Sequence, residues 1–265
     1  MGRTVLPKQA DDSHTNFSWC HERHALMQGD GKTGIRVRDL TLLFGDEEFP
    51  LAGRSLDDAY MFFEQRVGQM LERPGEATPP HHPVAAGCVF DPSTCDLERL
   101  AELYAKADIE LRRINTPVRV WPHHFDIATL ISLGDGRTIG AGLVPGDAQF
   151  PEPYWYVTPW PYPADRTNLP PLPSGFWNTE PWFGAVLFAS SDANVAEFRR
   201  GDQRATLASS RSFASIFVRS IAIMIQRYAA TGKTTIEAIA TTKRHVANPI
   251  SASMALPAID PTTFA

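Results

Sequence analysis

The chain has 265 residues, of which 43% are hydrophobic, 21% charged and 10% aromatic, and it carries a formal net charge of −5. This is globular composition: it excludes a collagen-like, coiled-coil or wholly disordered chain, and the length suffices to bury a core. The acidic balance, with no Lys/Arg run interleaved with aromatics, argues against a nucleic-acid partner.

The charge is uneven. Residues 1–192 carry 16 Lys and Arg against 26 Asp and Glu, whereas residues 193–265 carry 9 against 4, and all six Trp precede residue 183. Such a shift can mark a boundary. The longest apolar stretch, Ser215 to Gln226, is too short for a transmembrane helix and contains Arg219. No basic-then-apolar leader opens the chain, and Leu6 stands where a myristoylation signal needs Ser or Thr. Three cysteines, Cys20, Cys88 and Cys95, form no C-x-x-C pair and argue for reduced thiols and a cytoplasmic location.

Residues 1–34 are polar and Gly-rich, and are expected to be irregular. Ile35 to Phe44 alternates as a strand whose phase slips at Asp39, as a bulge would cause. Gly45-Asp46 signals a turn, with Glu48 to Leu51 pairing back. A capping box at Ser55 and Asp58 opens a helix over 55–72, carried by Leu56, Ala59, Tyr60, Phe63, Val67, Met70 and Leu71 and stopped by Pro74-Gly75. Asp91-Pro92 opens a second helix, over 93–114, with Asp91 as N-cap.

Val118 to Leu133 reads as one long strand, Gly134-Asp135-Gly136 as a hairpin turn, and Thr138 to Val144 as the return strand. Tyr154 to Trp160 and Trp182 to Ala189 are further strand candidates. Ten prolines lie between Pro145 and Pro181, which predicts mostly edge strand and loop there. A third helix is expected over 203–228, and a poorly packed tail after it.

Several motifs fail. Gly232-Lys233-Thr234 lacks the first glycine of a phosphate loop, since Arg227 stands there. His21-Glu22-Arg23-His24 lacks the spacing of a zincin helix. Neither a Gly-x-Ser-x-Gly elbow nor a Gly-x-Gly-x-x-Gly fingerprint occurs.

The strongest local signal is Trp121-Pro122-His123-His124-Phe125-Asp126. On an extended chain His124 and Asp126 share a face, so an imidazole and a carboxylate converge. Three readings stay open: Asp126 orienting His124 in a polar core, an acid–base or binding pair, or the start of a two-His-one-carboxylate iron site completed by His14, His82 or His245. Asp11 to Asn16 is a polar cluster that suits either a solvated turn or a loop over a ligand. The run Glu152 to Pro163 reads as core, or as a pocket wall in which Tyr and Trp donate to a polar ligand. Asp147, Glu152 and Glu180 around it suit acid–base work if they are set among apolar bulk.

The segments DDSHTN (11–16), RDLTLL (38–43), PLAGRSLDDA (50–59), HPVAAG (82–87), VRVWPHHFDIATL (118–130), IGAGLVPGD (139–147), EPYWYVTPWPYP (152–163), LPPLP (169–173) and FWNTEPWFGAVL (176–187) together resemble an uncharacterised bacterial protein family, a domain of unknown function. The resemblance spans residues 11–190 and fades beyond them. It transfers no activity. It implies that DDSHTN, WPHHFD, PGD and EPYWYVTPWP share one pocket.

These readings predict an α+β fold: an antiparallel β-sheet packed with about three helices in a single domain. Residues 1–192 form the main domain, 193–228 a C-terminal helix packing on it, and 229–265 a poorly ordered tail. The leading function is an enzyme or enzyme-like pocket for a polar small molecule. His124 is the general base, Asp126 its orienter, and Glu152 or Asp147 a second carboxylate. His14, Asn16, Asp147, Tyr154, Tyr156, Trp160 and Glu180 are the ligand-binding candidates. The alternatives are a non-catalytic module for a sugar-like or planar ligand, and a metal-dependent oxygenase built on the H-x-D pair. No metal, cofactor, nucleic-acid or membrane partner is expected.

Overall fold

The computed structural model describes residues 2, 4–73 and 83–190, together with Ile221 and Met224. These fall into two compact units, one holding the described residues up to Asp108 plus Arg119–His123, the other holding Ile109–Val118 and the residues from His124 onward. The described residues form eleven strands, all paired antiparallel where register is defined, and two α-helices. The antiparallel expectation holds, and the fold is sheet-dominated. The third expected helix, 203–228, lies outside the described residues except for Ile221 and Met224, which are helical and buried. The tail after residue 228 lies outside them too.

The first unit is built on a meander. Strands β1 (Phe17–Cys20), β2 (Ala25–Gln28), β3 (Thr33–Arg36), β4 (Thr41–Phe44) and β5 (Glu47–Pro50) pair in sequence order. Two strands therefore occupy the stretch expected to be irregular. They are short and broken by polar turns, so neither offers a long alternating run. The phase slip at Asp39 is a hairpin and not a bulge. Val37–Asp39 makes a 3-10 turn, Leu40 takes the left-handed conformation at φ 53°, and Arg36 then faces Thr41.

Helix α1 (Leu56–Val67) begins at the expected capping box, with the Ser55 side chain accepting from the Asp58 N–H and the Asp58 carboxylate accepting from the Ser55 N–H at 2.8 Å. It stops earlier than expected, at Gly68 (φ 70°), which supplies the left-handed cap that a Cβ resists. Its buried Ala59 and Phe62 pack with Leu42 and Leu51, and Phe62 stacks on Phe49. Helix α2 (Thr94–Arg112) starts three residues after the expected cap. Ser93, not Asp91, takes the N-cap position, its hydroxyl accepting from the Asp96 N–H. Tyr104 of α2 lies against Trp19 of β1, with ring centroids 5.7 Å apart. Strand β6 (Val118–Trp121) pairs with β1 through Val120 and Phe17.

The second unit carries β7 (Asp126–Gly134), β8 (Arg137–Val144), β9 (Tyr154–Trp160), β10 (Phe176–Asn178) and β11 (Gly184–Phe188), in the order β10-β11-β9-β8-β7. The β7–β8 hairpin turns through Gly134 to Gly136 as expected. The long strand from Val118 to Leu133 does not exist. Residues 122–125 are a turn, because Pro122 has no N–H to donate and Phe125 takes a left-handed φ of 52°. The proline-rich run also corrects its expectation: β9 is a central strand, paired with both β8 and β11. Its Pro159 is tolerated because β11 pairs only with residues 154–157, so the missing N–H falls past the end of that ladder.

One face of this second sheet is packed shut by Ile127, Leu143, Ala141, Ile139, Trp155 and Val157. The candidate site lies on the other.

Candidate functional site

Strand alternation builds the site. Gly142 on β8 is level with Ala128 on β7 and with Tyr156 on β9, and Val144 is level with Tyr154. Asp126, two residues before Ala128, shares that face with Tyr154 and Tyr156. A side chain at residue 142 would block the middle of the row: a Cβ there would stand 3.0 Å from Cε1 of Tyr156 and 2.7 Å from Cβ of Ala128. Because glycine leaves that space open, the Tyr156 ring reaches across β8 and its hydroxyl donates to Oδ2 of Asp126 at 2.6 Å.

Asp126 is 7% exposed, and its other oxygen, Oδ1, is buried with no hydrogen-bond partner among the described residues. Burial pushes the carboxyl up to about 6, against the pull of the Tyr156 hydroxyl and of the His124 charge. Tyr156 is half-buried as a residue, and desolvation of its hydroxyl and the adjacent Asp126 hold that group protonated, far above the usual phenol range.

A second carboxyl–phenol pair stands beside the first. Tyr154 donates to Oδ2 of Asp147 at 2.6 Å, and burial together with Asp147 raises the phenol. Oδ1 of Asp147 accepts the N–H groups of Phe150 (2.7 Å) and Gln149 (2.9 Å). Trp182 completes the wall. Its ring lies parallel to Tyr154 and edge-on to Tyr156, with centroids 6.5 and 6.3 Å away. Its indole N–H donates to Oε1 of Gln149, whose amide in turn donates to Asn178.

Asp126 is the buried member of the expected pair and His124 the exposed one. His124 lies in the 122–125 turn, exposed, so strand alternation does not aim it; it acts on Asp126 through its charge, and the donor bonded to Asp126 is Tyr156. Glu152 is exposed and accepts from the Ser190 hydroxyl. Glu180 is exposed as well, and its backbone carbonyl accepts from Gln149. Trp160 is half-buried against Tyr162. The structure thus brings together Asp126, Asp147, Tyr154 and Tyr156. His14 and Asn16 belong to the first unit. His14 is buried, with Nδ1 accepting from the Gln9 N–H at 3.2 Å, and Asn16 is buried with its amide nitrogen unpartnered.

Sequence reasoning missed three features. Gly140-x-Gly142 inside a strand was the signal for a ring crossing that strand. Trp182 and Gln149 carried no local signal, because their roles depend on the β9–β11 register. In the first unit, His21 donates or accepts through Nε2 at 2.8 Å from Oδ2 of the fully buried Asp108, a pair 87 residues apart in sequence. Among the described residues no three His, Cys, Asp or Glu side chains gather as a metal-ligand group. His82 and His245 lie outside the described residues.

Comparison with family models, with curated proteins and with solved structures finds no match for this chain.

Proposed function

We propose that the face carrying Asp126, Tyr156, Tyr154 and Asp147 binds a polar small molecule and moves a proton through Asp126. The observation that carries this reading is Oδ1 of Asp126, a buried carboxylate oxygen with no hydrogen-bond partner among the described residues. A buried acceptor left unsatisfied costs about 1–3 kcal/mol, so a purely structural role is better served by an apolar side chain. A carboxyl held near 6 has the proton affinity that general acid–base work near neutral pH requires. Tyr156 stays protonated and fixes the carboxyl's orientation. Asp147, satisfied by three donors, holds Tyr154 in place and takes no part in proton transfer. His124 lies exposed on the adjacent turn, and its charge favours the ionised form of Asp126.

A second reading, a non-catalytic module, is favoured by the aromatic cluster of Phe150, Tyr154, Phe176 and Phe188, in which Phe176 is exposed. A cytoplasmic setting is supported by three free thiols, two of them exposed. No helix among the described residues is long and apolar enough to cross a membrane.

The test is carbon-13 NMR of the Asp126 carboxyl during a pH titration, followed by a screen of small polar metabolites. Titration near 6, and hits that shift Asp126 and Tyr156 and are lost in Asp126→Asn, support the reading. Titration near 4, with hits indifferent to the substitution, overturns it.

A further inference from the structure

We propose that the group received at Asp126 is an organic cation bearing N–H donors: a primary ammonium or guanidinium on a small molecule. The inference rests on the preceding reading that Asp126 belongs to a binding site, and adds the chemical class of the ligand.

The two carboxylates of the face are unequal. Asp147 accepts from two backbone N–H groups and one phenol. Asp126 accepts from one phenol, through Oδ2, with its own backbone N–H also acting on the carboxyl, and Oδ1 has no hydrogen-bond partner among the described residues. What Oδ1 lacks is therefore a donor. The second deficit is charge. Among the described residues neither Asp126 nor Asp147 forms an ion pair with a Lys or Arg, whereas Asp39, Glu47, Glu48, Glu64 and Glu110 each pair with an Arg. Both carboxylates accept from phenols, which supply no positive charge, and the charge that reaches Asp126 comes from the exposed His124 on the neighbouring turn and ranks below burial and the Tyr156 hydrogen bond. A buried carboxylate is stable as an ion only when paired, so the group that completes this site supplies a donor and a positive charge together.

The surroundings fit the same group. Tyr154, Tyr156 and Trp182 gather around the carboxylates, and aromatic faces attract ammonium and guanidinium groups. An anion would meet two carboxylates and the negative faces of these rings. A neutral hydroxyl would satisfy Oδ1 and leave the charge uncompensated. Asp126 is buried, bonded to half-buried Tyr156 and two residues from exposed His124.

The experiment is titration of the full chain at pH 7.5, followed by calorimetry and by the Asp126 carboxyl signal. The probes are n-butylammonium, methylguanidinium, tetramethylammonium, n-butanol and sodium butyrate, with sodium chloride matched throughout. Saturable shifts of Asp126 with n-butylammonium or methylguanidinium are expected. Tetramethylammonium, which has no N–H, should bind at least tenfold more weakly, and butyrate not at all. Asp126→Asn should weaken the cation at least tenfold while the variant melts cooperatively. Asp135→Asn, which removes an exposed carboxylate of the β7–β8 turn outside the site, should retain cation binding. If n-butanol or butyrate binds as well as the cations and depends on Asp126, the cation assignment falls and the site reading stands. If no probe moves an Asp126 carboxyl that titrates near 4, both fall. If none moves one that titrates near 6, the cation assignment alone falls.

Discussion

Gly142 lies against the ring of Tyr156, where a Cβ would stand 3.0 Å from Cε1 of that ring. The hydrogen bond from Tyr156 to Asp126 spans three strands and depends on the absence of a Cβ on the middle one. Gly142→Ala should therefore cost about 1–3 kcal/mol, because its Cβ also meets the Ile127 carbonyl oxygen at 2.7 Å and backbone cannot yield cheaply. The variant should lose the Tyr156–Asp126 bond, seen as a moved Asp126 carboxyl resonance. Gly140→Ala is the control. Its nearest neighbour is the Thr158 methyl at 3.2 Å, a side-chain atom, so a smaller loss of stability and an unmoved Asp126 are expected.

Trp155 faces the opposite side of β9, 2% exposed among residues of the closed face. Trp155→Ala should lower stability by about 3–5 kcal/mol through lost burial and the cavity left behind. Denaturant unfolding measures this. If binding is lost in a variant of unchanged stability, Trp155 belongs to the site and the two faces of the sheet have been misassigned.

The contrast between Trp155 and Tyr156 shows how much the sequence disclosed. Alternation marked β9 and its two faces, and turn chemistry marked the β7–β8 hairpin and the capping box at Ser55. Local pattern is enough for these because each is decided by a few adjacent residues. Asp126 stood out in the sequence, but its hydrogen bond from Tyr156 did not. His124 is two residues away in sequence, and the left-handed Phe125 between them removes the extended geometry that would align them. Tyr156 is 30 residues away and meets Asp126 only through strand register. The hairpins before residue 36 were illegible for a related reason: four-residue strands separated by polar turns give too few alternations to register.

His21 and Asp108 make a second test of long-range pairing. Asp108 is fully buried on α2, and the half-exposed His21 ring caps it at 2.8 Å. His21→Ala should cost about 1–3 kcal/mol, since it removes a partner from a buried carboxylate. Asp108→Asn should cost less when placed in the His21→Ala background than in the native one. A double-mutant cycle of melting or urea unfolding gives that coupling energy directly. Additive losses would mean that the imidazole contributes nothing to holding Asp108.

The last prediction concerns Asp126 and pH. Its folded-state value, about 6, lies above the ordinary 3.8, and the leading cause is burial. Between these two values the folded chain holds a proton that the unfolded chain has released, so stability is greatest below pH 4 for this group. It declines as pH rises to 6 and is level above that. A shift of this size corresponds to about 3 kcal/mol, and Asp126 is buried deeply enough for that conversion to hold as an order of magnitude. Asp126→Asn removes the ionisation and keeps an oxygen that can accept from Tyr156. The variant should therefore be more stable than the native chain at pH 7.5, by up to about 3 kcal/mol, and its advantage should shrink toward pH 4. Urea unfolding of both proteins at pH 4, 6 and 7.5 measures the difference. Equal pH dependence in the two would show that Asp126 does not carry the raised proton affinity, and the proton-transfer role would go with it. A carboxylate that lowers stability at neutral pH, while its removal abolishes binding, is one whose charge serves the ligand and not the fold.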